Sequence, residues 1–173
     1  MKKTQYGQYT YDSPSFIRRT THKLRLKKSI KTLVLSPIDD ILDYGAGDGF
    51  FASLLTTQKH HSITCYEPMD EQYDQMLYVL SNFPDIHKIK NIEALSKRTF
   101  SKIFCLEVLE HLPKEQLNVA LGIIYKLLDN HGKALLTVPC ESGANGFIKN
   151  SIKKIVDRNK TYTFQDLWNI AFN

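Results

Sequence analysis

The stretch Ile41-Leu42-Asp43-Tyr44-Gly45-Ala46-Gly47-Asp48-Gly49-Phe50-Phe51 decides how the chain is read. An apolar run closes on an acid, three glycines follow at alternate positions, and an apolar, helix-like segment begins at Phe50. That order describes a strand, a tight turn and a helix whose N-terminus faces a ligand. Taken alone it fits either a nucleotide-cofactor site or a plain strand-to-helix turn. A dinucleotide fingerprint would carry its third glycine one residue later than Gly49, so the spacing disfavours a nicotinamide dehydrogenase. A phosphate-cradling P-loop is excluded, because no Gly-Lys-Ser/Thr follows. Asp43 is buried by its context yet charged, and such an acid needs a cationic or hydrogen-bonding partner.

Outward from this stretch, strands and helices alternate. Predicted strands are Asp40–Tyr44, Ser62–Glu67, His87–Ile92, Lys102–Leu106 and Lys133–Val138. Between them, the spacing predicts a helix from the glycines to about Thr57 and an amphipathic helix over 70–82 (Tyr73, Met76, Leu77, Leu80). A further helix follows Pro113 through Leu117, Ala120, Leu121, Ile124, Leu127 and Leu128, with Gly132 as its C-terminal cap. A basic helix over 15–35 precedes the first strand. A second basic helix, Phe147–Arg158, and a short one, Thr163–Ala171, follow the last. Such alternation implies a parallel sheet covered by helices on both faces, with ligands bound outside the carboxyl ends of the strands.

The 173 residues suit one domain with one core. No apolar run approaches the roughly 20 residues that span a bilayer. Residues 1–5 lack a signal core, and the three cysteines, Cys65, Cys105 and Cys140, are widely spaced. A reduced, cytoplasmic protein is expected, with no disulfide framework and no metal site. The net charge of +5 is uneven: residues 1–36 hold nine Lys/Arg against one acid, residues 37–147 nine against fifteen, and residues 148–160 five against one. An acidic body thus carries two basic flanks. These are either solvated faces or attractors of a phosphate-bearing substrate or an anionic surface. Tyr6, Tyr9 and Tyr11 belong either to an aromatic lid or to a loose arm.

Asp43-Tyr44-Gly45-Ala46-Gly47-Asp48-Gly49 resembles the first motif of the class I S-adenosylmethionine-dependent methyltransferases, an acid followed by Gly-x-Gly-x-Gly. Phe104-Cys105-Leu106-Glu107-Val108-Leu109-Glu110-His111-Leu112-Pro113 is similar to the segment after strand four in the small-molecule branch of that family. Gly132–Pro139 and Lys160–Trp168 extend the resemblance, which covers residues 41–172. It implies a Rossmann-like three-layer α/β sandwich whose mostly parallel sheet has the order 3-2-1-4-5. The family's C-terminal hairpin of strands six and seven is missing on this reading. Either a truncated chain, or a helix or partner chain covering the edge of strand five, is then expected. Residues 1–36 become a substrate-covering arm and helix, and residues 37–173 the cofactor domain.

The resemblance also implies the site. Gly45, Ala46, Gly47 and Gly49 would let the backbone approach the cofactor S-adenosylmethionine, and Asp43 would orient its ammonium group. Glu67 would accept the ribose hydroxyls, with Pro68 and Met69 on the adenine face. Glu93 and Ala94 would meet the adenine amino group, and Leu106 and Glu107 would close the cofactor site at the end of strand four. His111 or Glu110 would serve as base if the acceptor is a hydroxyl. For Asp43, Glu67, Glu93 and His111 the plain alternatives are a loop anchor, a strand-end acid, a surface acid and a helix-capping histidine.

The expected function is methyl transfer to a small or lipid-linked, anionic metabolite. Three rivals stand beside it: an RNA methyltransferase, a nicotinamide dehydrogenase and a non-catalytic cofactor-binding protein. An adenine-N6 DNA enzyme is disfavoured by the absence of Asp/Asn-Pro-Pro-Tyr. A nucleophilic role for Cys140 is disfavoured by the absence of Pro-Cys after strand four.

Overall fold

A computed structural model describes residues 16–58 and 60–138, with side chains from Leu24 onward. The tyrosine-rich arm, Cys140, both helices expected beyond residue 146 and the place of any sixth and seventh strands lie outside the described residues. The elements in chain order are α1 (Phe16–Thr32), β1 (Asp40–Tyr44), α2 (Phe50–Leu55), β2 (Ser62–Tyr66), α3 (Asp70–Val79), β3 (Ile86–Ile89), β4 (Phe100–Leu106), α4 (Lys114–Leu127) and β5 (Leu128–Thr137). Short 3₁₀ turns occupy Ile92–Leu95 and Leu109–His111.

The five strands form one parallel sheet in the order β3-β2-β1-β4-β5. This is the Rossmann-like α/β arrangement that the alternation and the motif predict. β1 is the centre, pairing with β2 over its whole length and with β4 from Ile41 to Asp43. Its residues 41–44 are all buried, as expected of a strand covered on both faces. One core lies under α4, where Leu117, Ala120, Leu121, Ile124 and Leu127 meet Leu42, Tyr44, Ile103 and Cys105. Their spacing of three and four residues is the apolar stripe of a helix that faces a sheet. The other core joins α1, α2 and α3 to the opposite face: Leu26, Ile30 and Leu33 pack with Ile41, Phe51, Leu55, Met76 and Leu80. α1 is therefore built into the body from Leu26 onward. Among the described residues no helix is long and apolar enough to cross a membrane.

Several boundaries differ from the expectation. β3 stops at Ile89, so Glu93 and Ala94 sit on the 3₁₀ turn after it. β4 begins two residues early, at Phe100, and α4 begins at Lys114 with Pro113 as its cap. The largest correction concerns Gly132. α4 ends at Leu127 and the chain turns directly into β5, so Gly132 lies inside a strand and caps no helix. β5 advances from Leu128 to Lys133 while β4 advances only from Phe100 to Lys102, which marks a bulge. A Cβ on residue 132 would stand 2.9 Å from the Phe100 carbonyl oxygen, so glycine permits the close approach of the two strands.

At the amino end of the sheet, Asp39 is buried but fully engaged. It accepts hydrogen bonds from the Ser36 N–H (2.7 Å) and the Ser101 hydroxyl (2.7 Å), and it pairs with the Lys102 ammonium at 3.1 Å. Burial works against its charge, but these partners outweigh it and hold the carboxyl below the usual range.

Candidate functional site at the carboxyl ends of β1, β2 and β4

The glycine turn is held open by the backbone of its neighbour. The N–H groups of Gly45 and Ala46 both donate to the Tyr66 carbonyl, at 2.8 and 2.9 Å, which pins the turn to the end of β2. Gly45, Gly47 and Gly49 all adopt positive φ, at 78°, 56° and 79°. At Gly45 a Cβ would lie 2.5 Å from Val108 Cγ2, so the segment after β4 packs directly on the turn. At Gly47 a Cβ would meet nothing within 4 Å, which leaves open space beside the backbone. Both positions therefore need glycine for their φ, and the first needs it for room as well.

Glu67 bridges the turn to the loop after β2. It is buried; one carboxylate oxygen accepts the Gly47 N–H and the other the Met69 N–H, each at 2.9 Å. Burial pushes its carboxyl upward and these two bonds pull it back, with a net rise. Each oxygen has used one lone pair, so each keeps one for a further donor.

Asp43 is the opposite case. It is 3% exposed, and its Oδ2 has no hydrogen-bond partner among the described residues. Desolvation, then the nearby charges of Glu67 and Asp48, push its carboxyl up to about 8. A site that raises one carboxyl this far and leaves one of its oxygens without a donor asks for a cation.

Beyond β4 stand three more ionisable groups. Glu107 takes a left-handed backbone, φ 57°, and its N–H donates to the Thr137 carbonyl and hydroxyl at 3.1 and 3.2 Å. A glutamate held there is strained by about 1 kcal/mol or more, and β5 supplies the restraint. Its carboxylate pairs with Arg25 of α1 at 2.7 Å. The side chain of Glu110 is 8% exposed, whereas that of its neighbour His111 is 72% exposed.

The structure thus brings Asp43, Gly45, Ala46, Gly47, Gly49 and Glu67 into one mouth, and places Leu106 and Glu107 at the adjoining end of β4. Pro68 and Met69 are exposed beside Glu67, and Glu93 and Ala94 are exposed on the turn after β3. His111 turns outward. Arg25 and Val108 escaped the sequence reading. Arg25 precedes the buried Leu26 on α1, and that edge-of-stripe position is the one signal that could have singled it out. Nothing in the sequence marks Val108. Among the described residues no group of three His, Cys, Asp or Glu side chains could hold a metal ion.

With this geometry in hand, the comparisons place the chain in a class. A family model described as a methyltransferase domain matches residues 9–168, and the chain belongs to that family. Its fold is that of the class I S-adenosylmethionine-dependent methyltransferases. No curated protein matches it in sequence.

Among solved structures it is similar to YcgJ of Bacillus subtilis, at 19% identity and a TM-score of 0.60, covering 75% of this chain and 57% of that one. It is also similar to the N-methyltransferase NodS of Bradyrhizobium japonicum WM9 in complex with S-adenosyl-L-homocysteine (20%, TM-score 0.57, 72% and 63%). A third is the [4+2]-cyclase SpnF (13%, TM-score 0.65, 79% and 58%). The chain spans less than two thirds of the length of each of these three. At such identities the likeness concerns the fold, and a cyclase among the neighbours shows that the fold alone does not name the reaction.

Proposed function

We propose that this protein transfers the methyl group of S-adenosylmethionine to a small or lipid-linked metabolite that carries phosphate or carboxylate. The observation that carries this reading is the orphaned, buried Oδ2 of Asp43 at the floor of a glycine turn. The residues present fit the cofactor. Asp43 would hold its cationic amino-acid end, and the open flank of Gly47 would admit its backbone-hugging part. Glu67 has one free lone pair per oxygen for the two ribose hydroxyls, while its bonds to Gly47 and Met69 keep it aimed. Pro68 and Met69 would cover the adenine, with Glu93 and Ala94 at its edge and Leu106 and Glu107 closing the β4 side.

When bound, the cofactor supplies an already activated sulfonium methyl. What the chain must add is alignment and a place for a proton. The anionic substrate is supported by the basic flanks and by the exposed Lys27, Lys28 and Lys31 on α1. Glu110 and His111 are the candidates for handling a proton, one largely covered and one in solvent.

Calorimetry with S-adenosylmethionine and S-adenosylhomocysteine tests the cofactor claim. Binding by the wild-type protein that is lost in Asp43→Ala/Glu67→Ala supports it. No binding, or unchanged binding in the double variant, sinks it. An anionic substrate predicts turnover that falls with added salt; rates indifferent to salt would remove that part alone.

A further inference from the structure

Glu110 is a second acid whose side chain is largely covered and meets no other side chain in a hydrogen bond among the described residues, and it lies outside the cofactor cradle. Its side chain is 8% exposed, and neither carboxylate oxygen has a hydrogen-bond partner from another residue among those described; only its own backbone N–H lies near enough to steady the charge. The charged and titratable groups facing it come from three elements. Glu107 and His111 share its loop, Arg25 reaches over from α1, and the buried thiol of Cys105 lies below on β4. Arg25 is already engaged by Glu107 at 2.7 Å, and the His111 Nε2 stands 4.0 Å away, beyond hydrogen-bond range. Holding an ionised carboxylate in such a place is unfavourable until a donor arrives.

The position gives the donor a meaning. Val108, two residues earlier, packs against Gly45, so the loop that carries Glu110 abuts the cofactor turn. On the reading proposed above, the substrate's acceptor group belongs beside that turn. A largely covered carboxylate that no other side chain hydrogen-bonds is best met by a group with positive charge and more than one N–H. A hydroxyl brings one donor and no charge.

We propose that Glu110 receives the substrate's acceptor as a protonated primary or secondary amine and takes one of its protons. In that step an N–H bond breaks, its electron pair stays on nitrogen as the lone pair, and an O–H bond forms on Glu110. The ammonium becomes a neutral amine and the carboxylate a carboxyl. Burial raises the affinity of Glu110 for that proton, which favours this direction. The substrate is then zwitterionic, its amino end at Glu110 and its anionic end toward the basic face of α1.

This inference rests on the cofactor reading, and the test separates the two. S-adenosylhomocysteine binding is measured first by calorimetry; its failure counts against the cofactor reading. Protein saturated with S-adenosylhomocysteine is then titrated with short alkylamines bearing a terminal phosphate or carboxylate, and with alcohols of the same lengths. The readout is binding, followed by calorimetry and thermal shift. The expected result is that at least one amine binds at least tenfold more tightly than its alcohol. That preference should vanish in Glu110→Gln and persist in Glu115→Gln, an exposed control on α4. Cofactor affinity within twofold of wild type shows that Glu110→Gln is folded; Glu110→Asp, which keeps the charge, should retain part of the preference. Alcohols binding as well as amines, amines binding Glu110→Gln undiminished, or no amine binding at all overturns the proposal.

Discussion

Replacing Asp43 by asparagine should make the ligand-free protein more stable while depriving it of its cofactor. The carboxyl rises from 3.8 to about 8 on folding, because it is desolvated beside Glu67 and Asp48. Between those two values the folded chain holds a proton that the unfolded chain has released. Stability contributed by this group is therefore present below pH 3.8 and falls as pH rises, until the folded carboxyl ionises near 8. At pH 7 the penalty is on the order of 2–4 kcal/mol, taking about 1.4 kcal/mol per pKa unit and allowing for relaxation of the site. Asparagine keeps the shape and removes the titration. Its unfolding midpoint at pH 7.5 should exceed that of the wild type by roughly 5–10 °C, and the gap should shrink toward pH 4. Glu67 and Glu110 contribute slopes of the same sign in both proteins, so the difference between the two curves isolates Asp43. Urea or thermal unfolding from pH 4 to 8.5 reads this directly. An Asp43→Asn protein no more stable than wild type at pH 7.5, with the same pH slope, would refute the account of Asp43 as an uncompensated acid. Affinity for S-adenosylmethionine should fall at least tenfold in the same variant.

Other substitutions probe the remaining contacts. Glu67→Gln places an amide NH₂ against one of two backbone donors, so it should weaken S-adenosylhomocysteine binding by tenfold or more in calorimetry. Gly45→Ala forces a Cβ against Val108 at φ 78°; a loss of about 1–3 kcal/mol is expected from the backbone and crowding terms together, and Val108→Ala should restore part of it in urea melts. Gly132→Ala should cost about 1–3 kcal/mol through its clash with the Phe100 carbonyl, with the loss read as faster hydrogen exchange at the β4–β5 ladder. Arg25→Ala should cost no more than about 0.5 kcal/mol, since Arg25 is half exposed, and a double-mutant cycle with Glu107→Gln measures the coupling.

The strands and the cofactor cradle were legible because their chemistry is local. Asp43 and the three glycines are contiguous, and Glu67 follows at the carboxyl end of the next strand. The burial that raises Asp43 follows from its place in an apolar run. The α4–β5 junction was misread for a definite reason. Leu128 continues the helical spacing from Leu121 and Ile124 yet already pairs with Phe100 as a strand residue, and a glycine four positions later has the look of a cap. The difference between Glu110 and His111 was also out of reach. Adjacent residues on a 3₁₀ turn point in different directions, and only the packing of Leu109 into the core decides which of them is covered. The pairing of Arg25 with Glu107 joins residues far apart in sequence, and no local pattern encodes it.

Two acids in opposite predicaments, four positions apart, mark the two ends of the central strand. Asp39, just before β1, is met by a lysine, a hydroxyl and a backbone donor; Asp43, near its far end, lacks a partner for Oδ2. Protons therefore act on the two ends of the same strand in opposite senses. Acidification relaxes the mouth and, once Asp39 takes up its proton, undoes the base, whereas alkalinity leaves the base intact and strains the mouth. The sheet is thus polarised from an anchored end toward a frustrated one, and its local conflict is concentrated where a ligand can resolve it.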